Sequence, residues 1–282
     1  MSDTGLRAGV LGLGIIGSRV AERVQSAGFL LAVWNRTPRT FEGLPPLAAD
    51  PAAVARASDI LQIFVADDAA LTSTVRALIP ALGANHVVIS NATVAPDTVR
   101  ALASEVAATG AGFLDAPFTG SRDAAAQGQI TYYIGGDAAV LARARPVLAA
   151  SAKAILPMGA TGQASAVKIA TNIMAAAAAV SLAEAIQLLR SNGVDPGVLV
   201  AALQNNAARS GVVDLKLPCM LENDYAPRFS ARNMRKDLRL ARQAGREGRL
   251  ALTETMLRLY ESACQSGFGD EDFAAVAKVK PD

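Results

Sequence analysis

The stretch Ala8–Gly17 reads AGVLGLGIIG and decides the fold of the amino-terminal half. It leads from an apolar strand into the first turn of a helix, with glycines at GxGxxG spacing. Gly12 permits the tight turn, Gly14 lets backbone amides approach a pyrophosphate, and Gly17 allows close packing of helix on strand. An ordinary glycine-rich turn is the alternative, but this position favours a dinucleotide site. The residues predicted to line it are Gly12, Leu13, Gly14, Ile15, Ile16 and Gly17.

Apolar runs alternate with helical patterns through the first half of the chain, which is typical of a doubly wound parallel sheet. The predicted strands are Ala8–Leu11, Leu30–Trp34, Ile60–Val65, Val87–Ser90, Phe113–Ala116, Ile130–Ile134 and Ala154–Leu156. The predicted helices between them are Ile16–Ala27, Ala69–Leu82, Pro96–Ala108 and Ala138–Ala149. The pattern therefore predicts an α/β Rossmann domain.

The strand signal ends at Gly162, and the rest of the chain is predicted to be all α. The predicted helices are Gln163–Ser191, Pro196–Gln204, Ala231–Glu247 and Thr253–Ser266. We place the domain boundary in the glycine-containing segment Gly159–Gly162. This gives a Rossmann domain at residues 1–160 and a helical substrate and dimerisation domain at residues 161–282, with an expected cleft between them.

Composition excludes several classes of function. The 282 residues are 51% hydrophobic and 18% charged, and the net charge of +2 provides no global field for nucleic acid or an anionic membrane. The most membrane-like segment, Ile169–Ala183, is predicted to be a buried helix, and Met1–Arg7 lacks the features of a signal peptide. Cys219 and Cys264 have no metal-ligand spacing, so we expect no metal site and a reducing, cytoplasmic location.

The second predicted strand ends in Trp34-Asn35-Arg36-Thr37, where an NAD enzyme usually offers a carboxylate to the ribose. No acid stands there. The amide of Asn35, the guanidinium of Arg36 and the hydroxyl of Thr37 suit a 2′-phosphate, with Arg39 as a further candidate. A solvated basic loop is the alternative. The segment predicts NADP(H) as the cofactor.

Two further segments carry polar groups in apolar surroundings. The segment Asp115–Ser121, DAPFTGS, ends a strand at the edge where α/β sheets bind ligands, although a structural turn is equally compatible. Lys168 and Asn172 lie four residues apart, hence on one face of an apolar helix. Because a lone buried ammonium is costly, they indicate a ligand-lined face unless Lys168 extends from the helix to solvent.

Together these segments resemble the β-hydroxyacid dehydrogenase family, in particular its glyoxylate and succinic semialdehyde reductase branch. The resemblance covers nearly the whole chain. It implies a catalytic role for Lys168 supported by Asn172, and substrate binding by Thr119, Gly120 and Ser121. By the same resemblance Thr93 and Lys236 border the cofactor, Phe229 and Asp237 border the substrate, and the helical domain forms a homodimer or homotetramer.

The chain departs from the family pattern at Ala92, at Phe118-Thr119 and at Tyr132-Tyr133, which affects the substrate more than the chemistry. His86, the single histidine, lies in no motif and is predicted to be structural, which leaves lysine as the candidate proton donor. The expected reaction is hydride transfer to a small aldehyde or keto acid, or the reverse oxidation. Two alternatives remain: an imine reductase, in which Asp or Tyr usually replaces the lysine, and a non-catalytic dinucleotide-binding module.

Overall fold

The computed structural model describes residues 5–245, 248 and 250–279. The chain forms two compact units, Met1–Lys168 and Ile169–Asp282. The first is an α/β unit and the second is helical, which confirms the predicted fold class.

An eight-stranded sheet forms the centre of the first unit. Its strands are β1 (Ala8–Leu11), β2 (Leu30–Trp34), β3 (Ile60–Ile63), β4 (Val87–Ser90), β5 (Gly112–Asp115), β6 (Phe118–Thr119), β7 (Ile130–Gly136) and β8 (Ala152–Gly159). The order is β2-β1-β3-β4-β5-β7-β6, with β8 also paired to β7. Strands β1 to β5 are parallel, so their carboxyl ends meet at one edge, and the strand order reverses direction beside β1.

Helices cover both faces of the sheet. They are α1 (Ile15–Ser26), α2 (Pro51–Ala57), α3 (Asp68–Leu78), α4 (Pro96–Ala107), α5 (Arg122–Ala126) and α6 (Ala138–Ala149), followed by the start of α7 (Gln163–Ser191). One core joins the sheet to α1 through Val20 and to α6 through Leu141. The core on the other face includes Val54 of α2, Val75 of α3 and Leu102 of α4. Two packed faces are the mark of a doubly wound sheet.

The sheet departs from the predicted all-parallel form at β7, which runs antiparallel to β5. The connection between these strands contains only β6 and the five-residue helix α5. After α5 the chain returns as β7, which pairs antiparallel with β6 and places Tyr132 opposite Phe118. A parallel return needs a crossover connection, usually a full helix, and this segment provides a hairpin instead.

Several predicted element ends are wrong, and most differ by one or two residues. The helix predicted to reach Leu82 ends at Leu78 and continues as a 3-10 turn at Ile79–Ala81, because Pro80 lacks the amide that an α-helix needs. Strand β3 ends at Ile63 instead of Val65. Strand β8 is longer than predicted and includes Pro157, which an edge strand tolerates.

The second unit contains the rest of α7 together with α8 (Val198–Gln204), α9 (Gly211–Glu222), α10 (Ala231–Ala244) and α11 (Ala251–Gln265), and ends in a 3-10 helix at Phe273–Lys278. The sequence did not predict α9, whose interior Pro218 is unusual in a helix. The predicted end of α10 at Glu247 lies outside the described residues. The other predicted ends shift slightly: α8 starts at Val198 instead of Pro196, and α11 at Ala251 instead of Thr253.

A buried ion pair anchors the end of the second unit. Lys216 Nζ lies 2.7 Å from Asp272 Oδ1, and both side chains are almost wholly buried. The same carboxylate accepts hydrogen bonds from the backbone amides of Arg228, at 3.1 Å, and Ala274, at 3.0 Å. These contacts join α9, the segment before α10 and the final 3-10 helix.

Helix α7 is long and apolar enough to cross a membrane by length and composition alone. We predicted a buried helix from the sequence, but only 33% of its most apolar 18-residue window is buried in the chain. Met174 and Leu188 are largely exposed. Within the predicted segment Ile169–Ala183, Ile169 and Leu182 are buried and Met174 is exposed, so in the single chain α7 is buried along only part of its surface.

Candidate active site

The turn between β1 and α1 has no room for side chains at two of its three motif glycines. A Cβ on Gly12 would lie 2.0 Å from the carbonyl oxygen of Phe64, and Gly12 has φ +90°. A Cβ on Gly17 would lie 2.0 Å from the carbonyl oxygen of Gly12. The fold itself requires glycine at both positions.

Gly14 differs from these two glycines. A Cβ there would meet no atom within 4 Å, and its φ of −73° suits any residue. Gly14 is the N-cap residue of α1, and no side chain among the described residues caps that helix. The first amides of a helix have no intrahelical partner and carry a partial positive charge. The exposed start of α1 therefore fits a pyrophosphate, with Gly14 leaving room for its approach.

Asn35 fixes the glycine turn to the loop after β2. Its Oδ1 accepts a hydrogen bond from the amide of Leu13 at 2.9 Å, and its Nδ2 donates to the carbonyl of Thr37 at 2.8 Å. The carbonyl of Leu13 accepts from the Arg39 guanidinium at 2.8 Å. Leu13 is fully buried, so both of its backbone groups bond within the protein. The hydrogen bonds of Asn35 and Leu13 therefore fix the glycine turn relative to the loop after β2.

Arg36 is an exposed cation at the start of this loop. Its guanidinium makes no hydrogen bond or ion pair with the residues that the structure describes, and Thr37 beside it is also exposed. Arg39, in contrast, is bonded to Leu13 and stacks 4.5 Å from the ring centroid of Phe41. Arg36 thus keeps its hydrogen-bond donors for a ligand.

A cavity of about 490 Å³ opens between α1 and residues 39–44. Its cations are already engaged, since Arg19 pairs with Glu22 at 2.7 Å and Arg39 bonds to a carbonyl. Glu42 adds a further negative charge to the lining. The cavity offers no surplus of positive charge, which leaves Arg36 as the better phosphate partner.

The predicted substrate segment lies in an exposed turn. Thr119 ends β6, Gly120 has φ +144°, and Ser121 caps α5 by accepting from the amide of Ala124 at 3.2 Å. The Ser121 hydroxyl proton is left to donate to an acceptor. All three residues are exposed, so the turn can meet a ligand as well as its structural partner.

Asp115, at the end of β5, makes contacts that the sequence did not predict. It is fully buried. Its Oδ2 accepts from the amides of Gly162, at 3.0 Å, and Ser165, at 2.9 Å, and its Oδ1 accepts from the Ser165 hydroxyl at 2.6 Å. Burial raises the pKa of the Asp115 carboxyl, and these hydrogen bonds oppose the rise. Asp115 therefore holds the first turn of α7, the helix on which Lys168 lies one turn later.

Two more predicted site residues of the first unit, Thr93 and Lys168, are both half-buried. Thr93 is half-buried just after β4, beside the buried Ala92. Lys168 is half-buried on α7, one turn after Ser165. His86 bonds through its ring to the backbone of Gly83 and Ala55, which agrees with the predicted structural role.

In the second unit, three predicted residues come together. Asn172 Nδ2 donates to Asp237 Oδ2 at 2.5 Å, and Lys236 Nζ lies 3.0 Å from Asp237 Oδ1. A carboxylate only accepts, so this bond turns the Asn172 carbonyl oxygen away from Asp237. Phe229 instead packs edge-on against Phe273, with ring centroids 6.1 Å apart. Among the described residues, no cluster of three or more side chains is suited to a metal.

Two family models match this chain and together span most of it. Residues 7–160 match the model for the NAD binding domain of 6-phosphogluconate dehydrogenase. Residues 162–280 match the model described as NAD-binding of NADP-dependent 3-hydroxyisobutyrate dehydrogenase.

Individual proteins are similar over nearly the full length. Glyoxylate/succinic semialdehyde reductase 2, chloroplastic, of Arabidopsis thaliana is 31% identical over 96% of this chain and 78% of its own. The L-threonate dehydrogenase of Cupriavidus necator is 31% identical over 97% of this chain and 95% of its own. The solved structure of Mycobacterium tuberculosis 3-hydroxyisobutyrate dehydrogenase with L-serine has a TM-score of 0.88 at 26% identity and covers 97% and 98% of the two chains.

The glycine geometry predicts that substitutions at Gly14 and Gly12 have separable effects. Gly14→Ala should leave the unfolding free energy within about 1 kcal/mol, the scale of an N-cap change, and raise the dissociation constant for NADPH about tenfold or more. Gly12→Ala should lower the unfolding free energy by about 2 kcal/mol or more, because φ is positive and the Cβ meets a carbonyl. Urea unfolding and fluorescence titration measure the two quantities. Unchanged NADPH binding in Gly14→Ala would contradict the assignment of this turn.

Proposed function

The chain belongs to the β-hydroxyacid dehydrogenase family, and we propose that it is an NADPH-dependent reductase of a small aldehyde or keto acid, with Lys168 as proton donor. At the coarser level it is an oxidoreductase with a nicotinamide dinucleotide cofactor. The observation that carries the proposal is the uncapped start of α1 beside Gly14, a glycine that the protein's own packing does not require.

The preference for NADPH rests on the loop after β2. Asn35 is engaged in holding the glycine turn, while Arg36 and Thr37 are exposed beside it. A guanidinium gives bidentate, charge-assisted hydrogen bonds to a phosphate, and no carboxylate stands at the end of β2 to bind a ribose diol. The loop therefore suits a dinucleotide that carries a 2′-phosphate.

The proposed chemistry assigns one step to the cofactor and one to the chain. A bound reduced nicotinamide supplies the hydride. Lys168, as ammonium, donates a proton to the oxygen of the substrate carbonyl as negative charge develops there. Asn172, on the same helical face, orients Lys168, and its own amide is fixed by Asp237. In the oxidative direction the neutral lysine accepts the proton.

The substrate carboxylate is proposed to bind at Thr119, Gly120 and Ser121, with Thr93 beside it. The exposed turn offers hydroxyl donors at the carboxyl edge of the sheet, where α/β folds bind ligands. Glyoxylate, succinic semialdehyde and threonate, named in the relatives, all carry a carboxylate. Phe229 and Asp237 are proposed to contact the substrate, and Lys236 the cofactor.

The two alternatives receive less support. An imine reductase usually has Asp or Tyr at the position of Lys168, and a non-catalytic module has no need for the Lys168 and Asn172 pair. A turnover panel with NADPH separates the three functions: glyoxylate and succinic semialdehyde test the reductase, a cyclic imine tests the first alternative, and no turnover of either class supports the second.

We also propose that the protein is a cytoplasmic homodimer or homotetramer assembled through the helical unit. The exposed apolar side chains of α7, among them Met174 and Leu188, are the surface that a second copy would cover. A patch of this kind on an isolated chain is typical of an interaction site.

Arg36→Ala should change cofactor selectivity. Loss of a charge-assisted contact worth roughly 1.5 to 3 kcal/mol should raise the KM for NADPH about tenfold or more. The KM for NADH should change little, because NADH has no 2′-phosphate. Arg39→Ala is the matched control in the same loop. Equal losses with both dinucleotides would exclude Arg36 as the residue that reads the phosphate.

The substrate turn predicts that an aldehyde without a carboxylate is reduced poorly. Butyraldehyde and succinic semialdehyde have the same four-carbon chain and differ in the terminal carboxylate. We expect kcat/KM for butyraldehyde to be lower by about tenfold or more, the scale of one lost charged contact. Comparable values for the two aldehydes would mean that the anion site is assigned wrongly.

Lys168→Met should abolish proton donation while keeping the length of the side chain. We expect kcat to fall about 10² to 10⁴-fold, the usual contribution of a positioned general acid, with little change in the NADPH dissociation constant. Lys168→Arg should rescue poorly, because a guanidinium does not release its proton readily. A parallel loss of NADPH binding would make Lys168 a cofactor anchor, and near-normal kcat would refute the mechanism.

A further inference from the structure

We propose that Asp115 is a positioning residue: through Ser165 and Gly162 it fixes the first turn of α7 and thereby the location of Lys168. The inference rests on the proposed function, because it needs Lys168 to act on the substrate. Asp115 itself touches neither substrate nor cofactor in this proposal. Its effect is transmitted through the backbone of α7.

Asp115, Gly162 and Ser165 form a cluster of hydrogen bonds that we call the clamp. Its two carboxylate oxygens accept three hydrogen bonds, all between 2.6 and 3.0 Å, from two residues of a single helical turn. Asp115 and Ser165 are both fully buried. Gly162 has φ +88°, which a residue with a side chain adopts only with strain. The chain can therefore enter α7 in one narrow range of directions.

The place of Asp115 in the sequence gives the clamp its significance. Asp115 is the last residue of β5, and the exposed turn Thr119–Ser121 follows within six residues of it. Ser165 stands one helical turn before Lys168. The segment Asp115–Ser121 thus bonds to the start of α7, which carries Lys168, through its first residue, and ends in the turn proposed to bind the substrate carboxylate. A shift at Asp115 changes the distance between proton donor and substrate anion.

Capping alone does not require a buried side chain here. Ser caps helices about as well as Asp, and the unit uses exposed caps elsewhere, such as Asp137 on α6. Burying a charge is costly, and burial raises the pKa of Asp115. In return, both oxygens of the side chain bond to the start of α7, and three short contacts hold the turn more tightly than an exposed cap does.

The central test uses Asp115→Ala with Asp137→Ala as its matched control. Both remove a carboxylate that accepts from backbone amides at the start of a helix of the same unit, but α6 carries no proposed site residue. In Asp115→Ala, with NADPH and the aldehyde acid reduced fastest in the panel, we expect kcat to fall tenfold or more. The substrate KM and the NADPH dissociation constant should stay within threefold. Asp137→Ala should keep kcat within twofold.

Two further variants grade the effect. Asp115→Asn should restore most of the lost kcat, because its carbonyl still accepts from the two amides and its amino group donates to the Ser165 hydroxyl. Ser165→Ala removes only the hydroxyl contact and should lower kcat about threefold. Hydrogen exchange in the protein without ligand should be faster over residues 163–168 in Asp115→Ala, and unchanged there in Asp137→Ala.

These outcomes decide the proposal. A folded Asp115→Ala with kcat within twofold of wild type, or an equal loss in Asp137→Ala, overturns it. If Asp115→Ala does not fold, Ser165→Ala decides: a lowered kcat supports the clamp and an unchanged kcat overturns it. Lys168→Met, measured in parallel, keeps the two hypotheses apart. A normal kcat in that variant refutes the general-acid role, whereas an inactive Lys168→Met beside a normal Asp115→Ala refutes only the clamp.

Discussion

The first unit depends on two close backbone approaches. Gly12 lies against the carbonyl of Phe64, and Gly17, in the first turn of α1, lies against the carbonyl of Gly12. There is no room for a Cβ at Gly12 or at Gly17, so β1, β3 and α1 approach as closely as bare backbone allows. This approach brings the uncapped amides of α1 to the edge where the strand order reverses. The proposed anion site would be formed there by backbone alone, before any charged side chain is added.

Polar side chains then hold the turns around that edge in place. Asn35 joins the glycine turn to the loop after β2, and Asp115 joins the end of β5 to the start of α7. In the second unit Asp237 fixes the amide of Asn172. Each of these short side chains accepts a hydrogen bond, Asp115 and Asp237 from buried positions and Asn35 from a half-buried one. Nearby residues of the same motifs are exposed or half-buried. Arg36 beside Asn35 and Lys168 after Ser165 follow this pattern.

Local signals in the sequence predicted the features that depend on local physics. The glycine spacing, the apolar strands and the loop at Arg36 each depend on neighbouring residues, and their positions in the fold agree with the sequence. The direction of β7 could not be predicted from its own residues, because it depends on the short connection from β5, which contains only β6 and α5. The roles of Asp115 and Ser165 were not predictable either, since their bonds join residues 50 apart in the sequence. Helix α9 was not predicted because its interior Pro218 is unfavourable in a helix.

The buried ion pair of Lys216 and Asp272 limits the substitutions that the chain can accept at these two positions. Removing one partner of a buried pair costs roughly 3 to 5 kcal/mol, while a whole domain is stable by only about 5 to 15 kcal/mol. A single substitution at either position therefore uses up much of the margin of the fold. Replacing both with apolar residues does not remove that cost here, because the amides of Arg228 and Ala274 would lose the Asp272 carboxylate as their acceptor. One cluster of contacts therefore holds both positions, although they lie 56 residues apart in the sequence.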